Sequence, residues 1–100
     1  MINKNNSKEV LEQLGNRLKE ARLHRNETQE TFAARIDLSR QSYAKMEKGE
    51  GSVPISKWVA ASEILGLLGT WSEVLVPETD LFSRFEREKK GRQRARSAKK

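Results

Sequence analysis

Residues 28–49 read TQETFAARIDLSRQSYAKMEKG, and their spacing decides the fold. Two short amphipathic runs are joined by a tight turn. In the first, Phe32, Ala33 and Ile36 recur at the interval of one helix face; in the second, Tyr43 and Met46 do the same. Thr28 and Ser39 stand at N-cap positions, where a hydroxyl accepts from a free amide of the next turn. Asp37 and Leu38 form the turn, and Gly49 suits the left-handed position past a helix end. The second helix leaves Arg40, Gln41, Ser42 and Lys45 outside. Arg and Gln carry forked donors and acceptors that match base edges in the DNA major groove. A helix-turn-helix presenting them early in its second helix has the form of a duplex-DNA reader. An ordinary solvated face is the alternative. Such faces usually carry acids, and between Ile36 and Glu47 the only acid is Asp37, in the turn.

Before this stretch, Asn6 or Ser7 caps a first helix that runs to about residue 25 on a stripe of Val10, Leu11, Leu14, Leu18 and Ala21; Asn26 ends it. Residues 50–54 form a loop. A fourth helix is expected over 55–65, with Ile55, Trp58, Val59, Ser62 and Leu65 on one face and Gly66 as its stop. A fifth, over 70–75, lies among Leu67, Leu68, Trp71, Val74 and Leu75, and Val76 and Pro77 close the compact part. No strand pattern and no internal repeat occurs. The expected fold is all-α: a five-helix domain over 1–77, followed by a disordered basic tail over 78–100.

The net charge of +6 is unevenly divided. Residues 84–100 hold nine Lys or Arg and two Glu, hence +7, while residues 1–83 hold eleven and twelve, hence −1. A basic tail suits nucleic acid, an acidic membrane surface or an acidic protein. From Glu86 onward only charge, Gly, Gln, Ala and Ser remain. Such a composition buries too little apolar surface to offset its ordering entropy, so the tail is expected to be mobile when free, as are residues 1–6.

Several function classes are excluded. Cysteine is absent, so there is no disulfide and no thiolate metal site. His24 is the only histidine and lacks a metal-binding neighbour, so no metal and no cofactor are expected. The serines lack an adjacent base and the glycines near Glu50 make no phosphate loop, so no enzyme is expected. No apolar run is long enough to cross a membrane, and residues 1–6 do not resemble a signal peptide. A cytoplasmic, nucleoid-associated protein is the expectation.

Residues 14–75 resemble the Cro/C1-type (XRE) helix-turn-helix domains of prokaryotic regulators. Leu18, Arg22, Gln29, Phe32, Ala33, Ile36, Ser39, Met46, Glu47, Gly49, Leu65 and Gly66 carry the resemblance, in order and at family spacing. It implies a lambda-repressor-like fold, with Arg40, Gln41 and Lys45 at base edges and Gln29 on a phosphate. The expected DNA-contacting set is Gln29, Ser39, Arg40, Gln41, Ser42, Lys45, Lys48 and Ser52. The resemblance also implies a partly buried salt bridge between Arg22 and Glu47, against the alternative of two independent surface charges. Dimerisation is implied around the last helix, through Leu67, Leu68, Trp71 and Val74; Trp58 reads as core. The partners are then double-stranded DNA carrying a palindromic operator and a second copy of the chain. Two positions depart from the family: Asp37 stands where Gly is usual at a left-handed turn, and Thr31 where Glu is frequent.

A narrower resemblance, to HipB-type regulators encoded beside HipA-like kinase toxins, rests on Gly51, Ser52 and Val53 after Gly49, on Leu67 and Leu68, on Pro77 and on the run from Gly91 to Arg96. It implies autorepression of a toxin–antitoxin operon in complex with such a kinase. The competing class is a protein-interaction module that binds a partner through the last helix and the tail.

Overall fold

Local signals start and stop each helix where the side chains require. The computed structural model describes residues 6–79. The expectations for residues 1–5 and for the basic tail beyond residue 79 lie outside them, whereas Asn6, expected to be mobile, is held as the cap of the first helix. Four α-helices, α1 (Ser7–His24), α2 (Gln29–Arg35), α3 (Arg40–Lys48) and α4 (Ile55–Ile64), precede a short 3-10 helix, Leu68–Glu73. The Asn6 side chain caps α1, accepting from the amides of Lys8 at 3.0 Å and Glu9 at 3.3 Å. The Thr28 hydroxyl caps α2 through the Thr31 amide, and the Ser39 hydroxyl caps α3 through the Ser42 amide, each at 3.1 Å.

Left-handed residues break the chain between helices. Asn26 lies at φ 57° after α1, Gly49 at 83° after α3 and Gly66 at 75° after α4. Asp37 lies at φ 60°, so the turn between α2 and α3 uses the conformation that normally favours glycine. Asp tolerates this region better than most residues, which explains how the departure is accommodated.

The chain divides into two units, one ending at Leu68 and one beginning at Gly69. In the first, Phe32, Tyr43 and Met46 are fully buried, with Leu18, Ala33, Ile36 and Ala61 around them. The Phe32 and Tyr43 rings lie 5.4 Å apart, joining α2 to α3 inside this core. Trp58, Ile64, Leu65, Leu38 and Val53 close over its edge. Helix α4 is also tied down by Lys57, whose Nζ donates to the Ile36 carbonyl at 2.9 Å, a cation on the negative end of α2.

Helix α3 packs chiefly on α1, and that crossing is unusually close. A Cβ placed on Gly15 would fall 2.7 Å from the Met46 carbonyl oxygen, and one on Gly49 would fall 2.6 Å from Glu12 Cα. Backbone thus meets backbone, fixing the height of α3 above α1.

Two expectations fail. Ile55 does not face the core: it is 64% exposed, because as the first residue of α4 it precedes the Trp58, Ala61 and Leu65 face. The fifth helix is a six-residue 3-10 segment that starts at Leu68, earlier than expected. Leu75 lies beyond it, at φ 67° and almost fully exposed. Gly69 inside so short a segment weakens a regular α-helix. With these corrections the fold is all-α, with five helices in a helix-turn-helix arrangement consistent with the lambda-repressor-like fold.

Candidate nucleic-acid interface

The side chains of α3 divide by face. Tyr43, Met46 and Glu47 point inward, while Arg40, Gln41, Lys45 and Lys48 are exposed. No acid stands on the outward face of this helix, so its fixed charges are all positive. Ser39 is exposed but its oxygen is engaged in capping, and Ser42 is half-buried. Ser52 is exposed in the loop after α3.

A buried polar cluster holds α3 in place. The Arg22 Nε donates to Glu47 Oε2 at 2.7 Å, and its Nη2 donates to Oε1 at 3.1 Å. Each residue is only 7% exposed, so these are not independent surface charges. Arg22 Nη1 also donates to the Glu27 carbonyl at 2.8 Å, tying the pair to the segment between α1 and α2. Gln29 completes the cluster: its amide Nε2 donates to Glu47 Oε1 at 2.9 Å. Gln29, expected at a phosphate, is thus half-buried and directed partly inward, with one amide proton still available.

Burial alone would push the Glu47 carboxyl up. Hydrogen bonds from Arg22 and Gln29 outweigh it and hold the group below the ordinary glutamate value, while the buried Tyr43 hydroxyl beside it makes no hydrogen bond. The Arg22 guanidinium is raised by its hydrogen bond to Glu47, against the cost of burial. Burial first, then the adjacent Glu47, raises the Tyr43 phenol well above its ordinary value. The cluster is therefore an ion pair with a neutral phenol beside it.

A second network joins α1 to α2 further out. Glu27 Oε2 accepts from Arg25 Nε and from Arg35 Nη1, each at 3.1 Å. It occupies two arginines that would otherwise add to the exposed positive charge.

The residues expected at an interface between copies belong to both units. Leu67 and Leu68 end the first unit, 48% and 43% exposed; in the second, Val74 is 46% exposed and Trp71 half-buried. Sequence reasoning missed Gly15 and the bond from Gln29 to Glu47. A glycine inside a helix gives no hydropathy signal, and a bond across eighteen positions gives no periodic one.

The helix-turn-helix family model matches residues 18–71. It spans α2 and α3 entirely and omits the first turns of α1. No curated protein and no solved structure matches the chain. The matched family is a DNA-binding regulatory one, not a catalytic one. Among the described residues no cluster of His, Asp or Glu could hold a metal ion, and no helix is long and apolar enough to cross a membrane.

Proposed function

The chain belongs to the Cro/C1-type helix-turn-helix family of DNA-binding domains, and on that premise we propose that it is a sequence-specific transcriptional repressor acting as a homodimer on a palindromic operator. The observation that carries this reading is the outward face of α3, where Arg40, Gln41, Lys45 and Lys48 stand exposed with no acid among them. Arg40 and Gln41, at the start of the helix, supply the forked groups for base edges. Lys45, Lys48, Ser39, Ser42, Ser52 and Gln29 surround them with groups suited to phosphate and sugar, which set register. The Arg22–Glu47 pair serves this reading by holding α3 on its scaffold. The DNA-binding domain extends to about residue 77 and the tail occupies 78–100.

Dimerisation through Leu67, Leu68, Trp71 and Val74 is supported by the exposure of the two leucines. In a dimer of this class two reading helices enter successive major grooves about 34 Å apart. Selection from random duplexes, combined with sedimentation of the free protein and its complex, tests both parts. The expected result is a palindromic consensus bound by two chains. A monomer on a single half-site would overturn the dimer, and no consensus would overturn specific readout.

The narrower reading is autorepression of an operon that also encodes a HipA-like kinase, with this chain as its DNA-binding partner in the nucleoid. Co-purification with the product of the adjacent reading frame tests it, and a repressor that binds its operator but no such kinase would refute it. A second reading, a protein-interaction module, draws on the same exposed leucines. It requires partner binding to survive loss of the α3 face.

A further inference from the structure

Tyr43 and Glu47 stand four residues apart on the inward face of α3, close enough for their side chains to meet. The Tyr43 hydroxyl lies beside the Glu47 carboxylate, is wholly buried and has no hydrogen-bond partner. An unmet hydroxyl in a water-excluded core is costly. Phenylalanine would fill the same space against Phe32 without that cost.

The carboxylate has room for the hydroxyl. An ionised carboxylate offers about four acceptor positions. Three are taken: Arg22 Nε donates to Oε2, while Arg22 Nη2 and Gln29 Nε2 both donate to Oε1. Among the described residues, one position on Oε2 is left. The groups around the carboxylate also differ in exposure. Arg22 and Tyr43 are closed off from solvent. Gln29 is half-buried and lines an open depression of about 460 Å³ beside α3, together with Asn16, Lys19 and Lys48. Gln29 is therefore the donor that solvent or a ligand can draw away.

We propose that Tyr43 is the reserve donor of Glu47: when the Gln29 amide turns outward, the carboxylate tilts on its last bond and accepts the Tyr43 hydroxyl instead. The last torsion of a glutamate is soft, and donor and acceptor share one helix, so the exchange requires no helix to move. Tyr43 thus acts as a positioning residue. It keeps Glu47, and through it α3, anchored to Arg22 of α1 while Gln29 is engaged elsewhere. The use of this exchange in DNA binding rests on the function proposed above; the exchange itself does not.

The test compares wild type, Gln29→Met, Tyr43→Phe and the double variant, each as the full chain. Methionine keeps the length and helix propensity of glutamine but donates nothing. Phenylalanine keeps the ring. With Gln29 present, Tyr43→Phe removes an unpaired hydroxyl and should not lower the melting temperature. In the Gln29→Met background the same change should lower it. The Glu47 carboxyl, followed by carbon-13 NMR titration, should keep its low midpoint in either single variant and titrate higher in the double. Glu12, Lys19 and Lys48, which line the depression with Glu47, are common to all four chains. A loss from Tyr43→Phe with Gln29 present, or no loss without it, would overturn the exchange. So would a midpoint that rises as far in Gln29→Met as in the double variant, which would assign the vacated position to solvent.

Discussion

Gln29 and Glu47, eighteen positions apart, are joined by a 2.9 Å hydrogen bond from the amide nitrogen to the carboxylate. A carboxylate only accepts, so the amide must turn its nitrogen inward. The acid that anchors α3 to α1 through Arg22 therefore also orients the first residue of α2. Three helices of the domain meet at one buried charge.

The Arg22–Glu47 pair should behave as a unit. Removing either partner leaves a buried charge uncompensated, at a cost of about 3–5 kcal/mol. Arg22→Ala and Glu47→Ala should each lower the melting temperature strongly, and the double variant should lose less than the sum. Strict additivity would mean that the contact contributes nothing.

The pair should also show in acid. The folded Glu47 carboxyl lies below the 4.5 of an ordinary glutamate. Its contribution is therefore complete above about pH 4.5 and is lost as pH falls through the folded value. Between pH 5 and 3, about the range of ordinary carboxylates, wild type should lose more stability than Glu47→Gln. Parallel curves would contradict the shift.

Gly15→Ala should force α3 away from α1, because the new methyl would meet the Met46 carbonyl oxygen at 2.7 Å. Overpacking of this kind costs about 1–3 kcal/mol despite the better helix propensity of alanine. Denaturant titration checks this; a stabilised Gly15→Ala would mean that the crossing is looser.

Asp37→Gly should have the opposite sign. Glycine removes the strain of φ 60°, and the gain should reach about 0.5–1 kcal/mol after the added entropy of the unfolded chain. Removing an acid from the turn before α3 should also tighten binding to random DNA. A lower melting temperature would show that the Asp37 side chain makes a compensating contact.

Much of this was legible in the sequence because caps and breakers act locally. Thr28, Ser39 and Gly49 announce their roles through one or two neighbours, and Asp37 was readable as a left-handed turn residue. The Arg22–Glu47 contact required the family resemblance, since nothing local joins positions 25 apart. Ile55 was misplaced because hydropathy weighs a large isoleucine above the small Ala61, although the close packing of α4 favours the small residue. The last helix was misjudged because its apolar residues are dense but its length and Gly69 do not sustain an α-helix. The depression beside α3 could not be read at all, since Asn16, Lys19 and Lys48 look like any solvated polar residues until α1 and α3 are brought together.

If α3 reads DNA sequence, Arg40→Ala and Gln41→Ala will separate from wild type differently on a selected operator and on random duplex. Each variant should lose about 1–3 kcal/mol on the operator and little on random DNA, at one fixed salt concentration. Equal losses on the two DNAs would assign these side chains to the phosphates, and no loss on either would remove α3 from the interface.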